Sequence, residues 1–231
     1  MTLVLIHGAG HTAAVWGPTQ AALASRSIAV DLPGRASRPA DITTVSVDAA
    51  AEAIAAEVAA EVTGDVVLVG HSVAGTVLPS IAARLGHRVA RLVFVAGITA
   101  PAGQAPVELF LPDDLEQVAR HLDELRVVHR GRTLEDLDIR VASTIDSLNF
   151  SSQPMQWAGI PTELPRTFVR CLRDPIQSRD LQQRFIDASG ADEVVDIDSG
   201  HTPAIDAPAQ LAAILDDIVS RARRPDMKTH G

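Results

Sequence analysis

The feature that most constrains this chain is its rhythm. Six short runs of β-branched and aliphatic residues alternate with longer stretches in which apolar residues recur every three or four positions. The runs are "TLVLI" at 2–6, "SIAVDLPG" at 27–34, "DVVLVG" at 65–70, "RLVFVAG" at 91–97, "RTFVRCL" at 166–172 and "DEVVDI" at 192–197. Nearly continuous apolar runs are the pattern of strands covered on both faces. Helices are predicted between them. Over 47–62, Val47, Ala51, Ile54, Val58 and Val62 mark one face, Glu52, Glu57 and Glu61 mostly mark the other, and Ser46 is placed to cap the start. "VAGTVLPSIAARLG" at 73–86 ends on Gly86, and "SRDLQQRFIDASG" and "PAQLAAILDDIVSRA" supply two more. Strands joined through helices by short connections pair in parallel through right-handed crossovers. The predicted fold is α/β, a mainly parallel, doubly wound sheet of about six strands.

The alternation breaks once. Residues 101–165 carry no convincing strand. They hold a helical pattern at "DDLEQVARHLDEL", a second near "LEDLDIRVASTIDSL", and a return loop punctuated by Pro154, Pro161 and Pro165. This stretch reads as a helical cap insertion over one edge of the sheet, within a single domain spanning 1–231. The polar residues 223–231 are expected to fray.

Composition removes several functions. The 20 basic and 29 acidic residues give a net charge of −9, and Lys228 is the only lysine. Such a chain, without a basic block, is not expected to bind nucleic acid or an anionic membrane. One cysteine, Cys171, permits neither an internal disulfide nor a cysteine-rich metal centre. No apolar run is long enough to span a bilayer and no secretory leader is visible. The expectation is a soluble protein of a reducing, cytoplasmic compartment. Tyrosine is absent, so no phenol is available to catalysis. Oligomeric state is left open, a homodimer included.

Three segments carry chemistry. In "VVLVGHSVAGTVLPSIAA", Ser72 stands where an apolar strand meets an apolar helix. A serine there is held on a sharp turn with Oγ pushed out at the carboxyl end of the sheet, and small neighbours let the two backbones cross. Gly70 fits that pattern at minus two. Ala74 stands at plus two where glycine is usual, and Gly75 follows one residue late. In "LIHGAGHTAAVW", the Ala9 N–H can pair with the Val73 N–H as two donors to one oxyanion, with Gly8 and Gly10 letting the backbone turn. In "DIDSGHTPAIDAPAQLAAIL", His201 follows the last strand on the same sheet edge and can serve as general base. Asp174 in "TFVRCLRDPIQS" ends the preceding strand and can accept from His201, although an Asp before Pro also caps turns.

Other residues have weaker claims. His71 is expected to pack or hydrogen-bond beneath Ser72. His7 and His11 lack a metal-site pattern. Arg35, Arg38 and Asp198 read as structural, and Cys171 as an inert buried thiol. Phe110 in "ELFLP", Leu148, Phe150, Met155 and Trp157 can line an apolar pocket or form the insertion's own packing, and the sequence favours neither.

At these residues the chain resembles the α/β-hydrolase superfamily, over nearly its whole length. The opening "HGAGHTAAVW", the elbow "GHSVAG", the segment "RCLRDPIQS" and the ending "DSGHTPAIDAPAQL" resemble the branch of plant-type methyl esterases, hydroxynitrile lyases and their bacterial esterase relatives. The order Ser72, Asp174, His201 is the order of that superfamily's triad. The resemblance implies a Ser-His-Asp triad at these residues, oxyanion donors at Ala9 and Val73, a small helical cap and no cofactor. Cyanohydrin-cleaving members of the branch carry threonine and lysine where this chain has Gly8 and Thr202, so an esterase is favoured over a lyase. Epoxide hydrolases place aspartate at the nucleophile position and use cap tyrosines, both missing here. The expected reaction is cleavage of a small methyl, aryl or lactone ester. Hydrolysis of a C–C bond in a β-diketone, thioester hydrolysis and acyl transfer remain alternatives on the same residues, as does a ligand sensor.

Overall fold

The computed structural model of the chain describes residues 1–35, 37–128 and 147–222, with 121–128 by backbone alone. Six strands form one sheet: β1 (Thr2–Ile6), β2 (Ser27–Val30), β3 (Val66–His71), β4 (Val89–Val95), β5 (Arg166–Cys171) and β6 (Glu193–Ile197). Their spatial order is β2-β1-β3-β4-β5-β6 and every neighbouring pair is parallel. This is the doubly wound α/β sheet expected from the alternation.

Side-chain alternation along each strand feeds two cores, one per face. On one face Val4, Ile6, Leu68, Leu92, Phe94 and Phe168 pack against residues of the helices Val47–Glu61, Leu78–Leu85 and Arg179–Ser189. On the other, Leu3, Leu5, Val67, Val69, Val93 and Val95 meet Trp16 and the helix Pro208–Ala222 through Leu211 and Leu215. Ser46 caps the 47–61 helix as expected, its Oγ accepting from the Ala49 N–H at 3.0 Å. Ser178 does the same for the 179–189 helix, and Gly190 ends it at φ 61°.

Two details differ from the sequence reading. β6 is an edge strand whose residues alternate between half-buried and exposed, with only Ile197 fully buried. Its Glu193 and Asp196, on opposite faces, are held by Arg221 and Arg170. A short apolar run does not reveal whether it lies at the centre or the edge of a sheet. Between β1 and β2 the chain also forms a 3₁₀ turn at Ala13–Trp16 and a short helix at Gly17–Ala22, which the sequence reading lacked.

Between β4 and β5 the described residues hold a 3₁₀ turn at Pro106–Leu109, a helix at Pro112–Val128 and a helical turn at 147–151, with no strand. Most of the second helical pattern expected there falls in 129–146, outside the described residues, as do the tail residues 223–231. Among the described residues no helix is long and apolar enough to cross a membrane. The chain runs outward from β1 to β2, then returns across β1 to β3. Ligands of open α/β sheets bind at the carboxyl ends of strands beside such a reversal.

Candidate active site

β3 ends at His71, and Ser72 adopts φ 52°, a left-handed conformation uncommon for a side-chain-bearing residue. The crossing beneath it is tight. A Cβ on Gly70 would lie 2.9 Å from Leu78 Cγ and 3.1 Å from the Ala74 carbonyl carbon. At Gly75 a Cβ would sit 2.5 Å from the Ile98 carbonyl oxygen. Ala74 is itself fully buried. The glycine requirement has therefore moved one residue along, from Ala74 to Gly75. The segment after Ser72 begins as a 3₁₀ turn (Ser72–Thr76) and becomes α-helical only at Leu78–Leu85, where a continuous helix from residue 73 was expected.

The loop after β6 carries His201 back over this turn. Its Nε2 lies 2.9 Å from Ser72 Oγ and its Nδ1 lies 2.7 Å from Asp174 Oδ2. The Asp174 side chain is fully buried and that of His201 is 12% exposed. Asp174 Oδ1 accepts from the N–H groups of Ile176 and Gln177 at 2.8 and 2.9 Å. Turn-capping and contact with histidine, which seemed alternatives for this residue, are made by the two oxygens of one carboxylate.

His71 lies under the pair. Its Nε2–H donates to the His201 carbonyl oxygen at 2.7 Å, which leaves Nδ1 unprotonated, and that atom is buried without a partner. Burial first, then the neighbouring His201 and His11, hold its pKa well below the usual histidine range. Its ring stands 5.0 Å from His201 and meets Trp16 edge-on at 6.5 Å.

His7 has a role the sequence reading did not assign. Its Nδ1–H donates to the Gly8 carbonyl at 2.8 Å, and its Nε2 accepts from the Leu32 N–H at 3.0 Å. Both bonds suit a neutral ring, and burial pushes its pKa down to about 4. The Gly8 carbonyl also accepts from the His11 N–H at 3.3 Å. A trans peptide sends its N–H opposite to its C=O. The pinned Gly8 carbonyl thus turns the Ala9 N–H away from His7. Among the described residues, no protein acceptor takes the Ala9 or the Val73 N–H. Gly8 must lack a side chain, because a Cβ would lie 2.7 Å from His71 Nδ1 and 3.1 Å from Ser72 Cβ. The signal in the sequence was a His-Gly pair directly after a strand.

The apolar candidates are held by packing contacts. Phe110 meets Phe185 edge-on at 5.6 Å, and Phe150 is 2% exposed in the core. Trp157 donates from Nε1 to the Ala100 carbonyl at 2.9 Å and carries the Arg166 guanidinium 4.5 Å above its ring. Met155 is buried with its sulfur on the Ala100 N–H. Leu148 is exposed. Thr202 turns its carbonyl to the N–H groups of Ile205 and Asp206, which start the short helix after His201. Cys171 is a buried free thiol, its pKa pushed up by burial and then by Asp174. Arg38 pairs with Glu57, and Arg173 with Asp198. Among the described residues no cluster of His, Cys, Asp or Glu could hold a metal ion.

A parallel sheet with a strained serine beside its topological reversal, in contact with a histidine from a later strand end, is the architecture of an α/β hydrolytic enzyme. The chain belongs to the alpha/beta hydrolase family, whose profile matches residues 3–214. It is 24% identical to a pyrethroid hydrolase of Sphingobium wenxiniae, over 93% of this chain and 86% of that protein. It is also 24% identical to a putative chloroplastic methylesterase 12 of Arabidopsis thaliana, over 93% of this chain and 70% of that one. A crystal structure of polyneuridine aldehyde esterase superposes with TM-score 0.71 at 20% identity, covering 94% of this chain and 98% of that one. The methylesterase among these relatives matches by name the branch that the motifs resemble.

Proposed function

We propose that the protein is a serine hydrolase that cleaves a small carboxylic ester through an acyl-enzyme. The observation that carries this reading is the continuous contact from Asp174 through His201 to Ser72, at 2.7 and 2.9 Å. In the first half-reaction His201 Nε2 takes the proton of Ser72 Oγ as the oxygen attacks the ester carbonyl. Asp174 stabilises the imidazolium and holds the tautomer. The N–H groups of Ala9 and Val73 receive the oxyanion, and His201 returns the proton to the leaving alkoxide. In the second, His201 deprotonates a water that attacks the acyl-enzyme, and the proton passes back to Ser72 as the acid departs.

Similarity to a pyrethroid hydrolase and to a putative methylesterase supports an ester as substrate. Crowding at Gly8 supports an esterase over a cyanohydrin lyase, since there is no room for a threonine there. The test is labelling with a fluorophosphonate probe, followed by turnover on a panel of methyl, aryl and lactone esters, thioesters and β-diketones. Labelling at Ser72 and preference for esters is the expected result. Absence of labelling, or ester turnover retained in Ser72→Ala, overturns the mechanism.

A further inference from the structure

The acid loop and the nucleophile turn come from distant parts of the chain, yet one side chain joins them. Gln177, 2% exposed, donates from Nε2 to the Ala96 carbonyl at 3.0 Å. Its own backbone N–H donates to Asp174 Oδ1 at 2.9 Å. Ala96, the residue after β4, adopts a left-handed conformation, φ 44°, which turns the following residues towards the nucleophile. Two residues on, the Ile98 N–H donates to the Ser72 carbonyl at 2.9 Å. The backbone of this same turn is what forbids a side chain on Gly75. The path from Asp174 through Gln177, Ala96 and Ile98 to Ser72, and back through His201, is a closed ring.

A second set of bonds braces Gln177. Gln182 donates from Nε2 to the Gln177 carbonyl at 3.1 Å and to the Cys171 carbonyl at 2.9 Å, and it accepts from the Cys171 N–H at 2.9 Å. Gln177 Oε1, by contrast, is buried with no partner. An unpaired buried amide oxygen is a liability for stability. The orientation that creates it is the one that gives the Ala96 carbonyl its donor.

We infer that Gln177 is the positioning residue of the acid: it ties the Asp174 loop to the β4-end turn that supports Ser72, and so sets the carboxylate against His201. This rests on the serine hydrolase reading above. The experiment uses the full chain, p-nitrophenyl acetate turnover and the rate of fluorophosphonate labelling. It compares wild type, Gln177→Met, Asp174→Asn and the double variant, with melting temperature as a check on folding. Gln177→Met keeps the length and removes the donor. It is expected to lower kcat and labelling rate about tenfold, since small misplacements of catalytic groups carry such costs. KM should stay within about twofold. In the Asp174→Asn background the same change is expected to have no further effect, because a residue acting through the acid has nothing left to position. Gln177→Leu, which removes the donor and introduces no charge, serves if the Met variant does not fold. Wild-type kcat in a folded variant overturns the inference, as does an equal loss in both backgrounds, or failure of both variants to fold. Wild-type labelling that disappears in Ser72→Ala judges the hydrolase reading separately.

Discussion

The loops at the strand ends and the segment between β4 and β5 are held by different balances of hydrogen bonding and apolar packing. In the loops the catalytic side chains and their supports are fixed by hydrogen bonds, some within one loop and some between loops: Asp174 on the N–H groups of Ile176 and Gln177, His71 on the His201 carbonyl, His7 between Gly8 and Leu32. In the insertion, Phe150 and Leu164 are buried with Phe94 and Phe168 of the strands, and Trp157 packs between Phe94 and Arg166. Hydrogen bonds specify identity and direction, whereas apolar packing specifies volume. Substitutions at Ser72 and Asp174 should therefore change chemistry at nearly constant stability, and those at the insertion's buried aromatic residues should do the reverse.

The largest effect expected is from Ser72→Ala, a loss of about 10⁶ in kcat on an ester substrate, the size seen when one member of such a unit is removed. Its melting temperature should stay close to wild type. Asp174→Asn follows, with a loss of about 10⁴, because an amide that donates to His201 favours the wrong tautomer. Both are read by steady-state kinetics beside thermal melts. An unfolded Ser72→Ala would break the comparison at its strongest point.

The reason for the contrast also explains what could be read from the sequence. Strand runs and helix periods are local, so the sheet, its parallel order and the junction at Ser72 were legible, and so was the Asp-Pro turn at 174. What escaped depends on partners distant in sequence. His7 gains its meaning from Leu32, just past the next strand and 25 residues on. Gln177 gains its own from Ala96, 81 residues back. The site of glycine crowding could not be placed either, because it depends on where the Ile98 backbone crosses Gly75. The edge position of β6 was hidden because exposure, and not composition, separates it from β5.

The insertion side of the comparison is tested by Phe150→Ala. Emptying a buried aromatic site typically removes about 3–5 kcal/mol of stability. Urea unfolding should show this loss, while kcat per folded molecule stays within about a factor of three. A large fall in kcat with wild-type stability would move Phe150 from packing to substrate contact.

The smallest effect expected comes from pH, and it bears on the loop side. His7 has its folded pKa depressed to about 4 from 6.5, chiefly by burial, so the unfolded chain binds this proton first as pH falls. The contribution of neutral His7 is fully present above about pH 6.5 and is lost as pH drops towards 4. Between pH 7 and pH 4.5 the linkage amounts to about 2–3 kcal/mol. His71 and His11, whose pKa values are depressed in the same direction, chiefly by burial, add to it. Urea midpoints at the two pH values measure the sum, and His7→Gln isolates one part, since glutamine does not titrate there. The variant is expected to start less stable at pH 7 and to lose less on acidification. Equal losses in wild type and His7→Gln would mean that the ring does not have to stay neutral, and that the Leu32 N–H does not depend on an unprotonated Nε2.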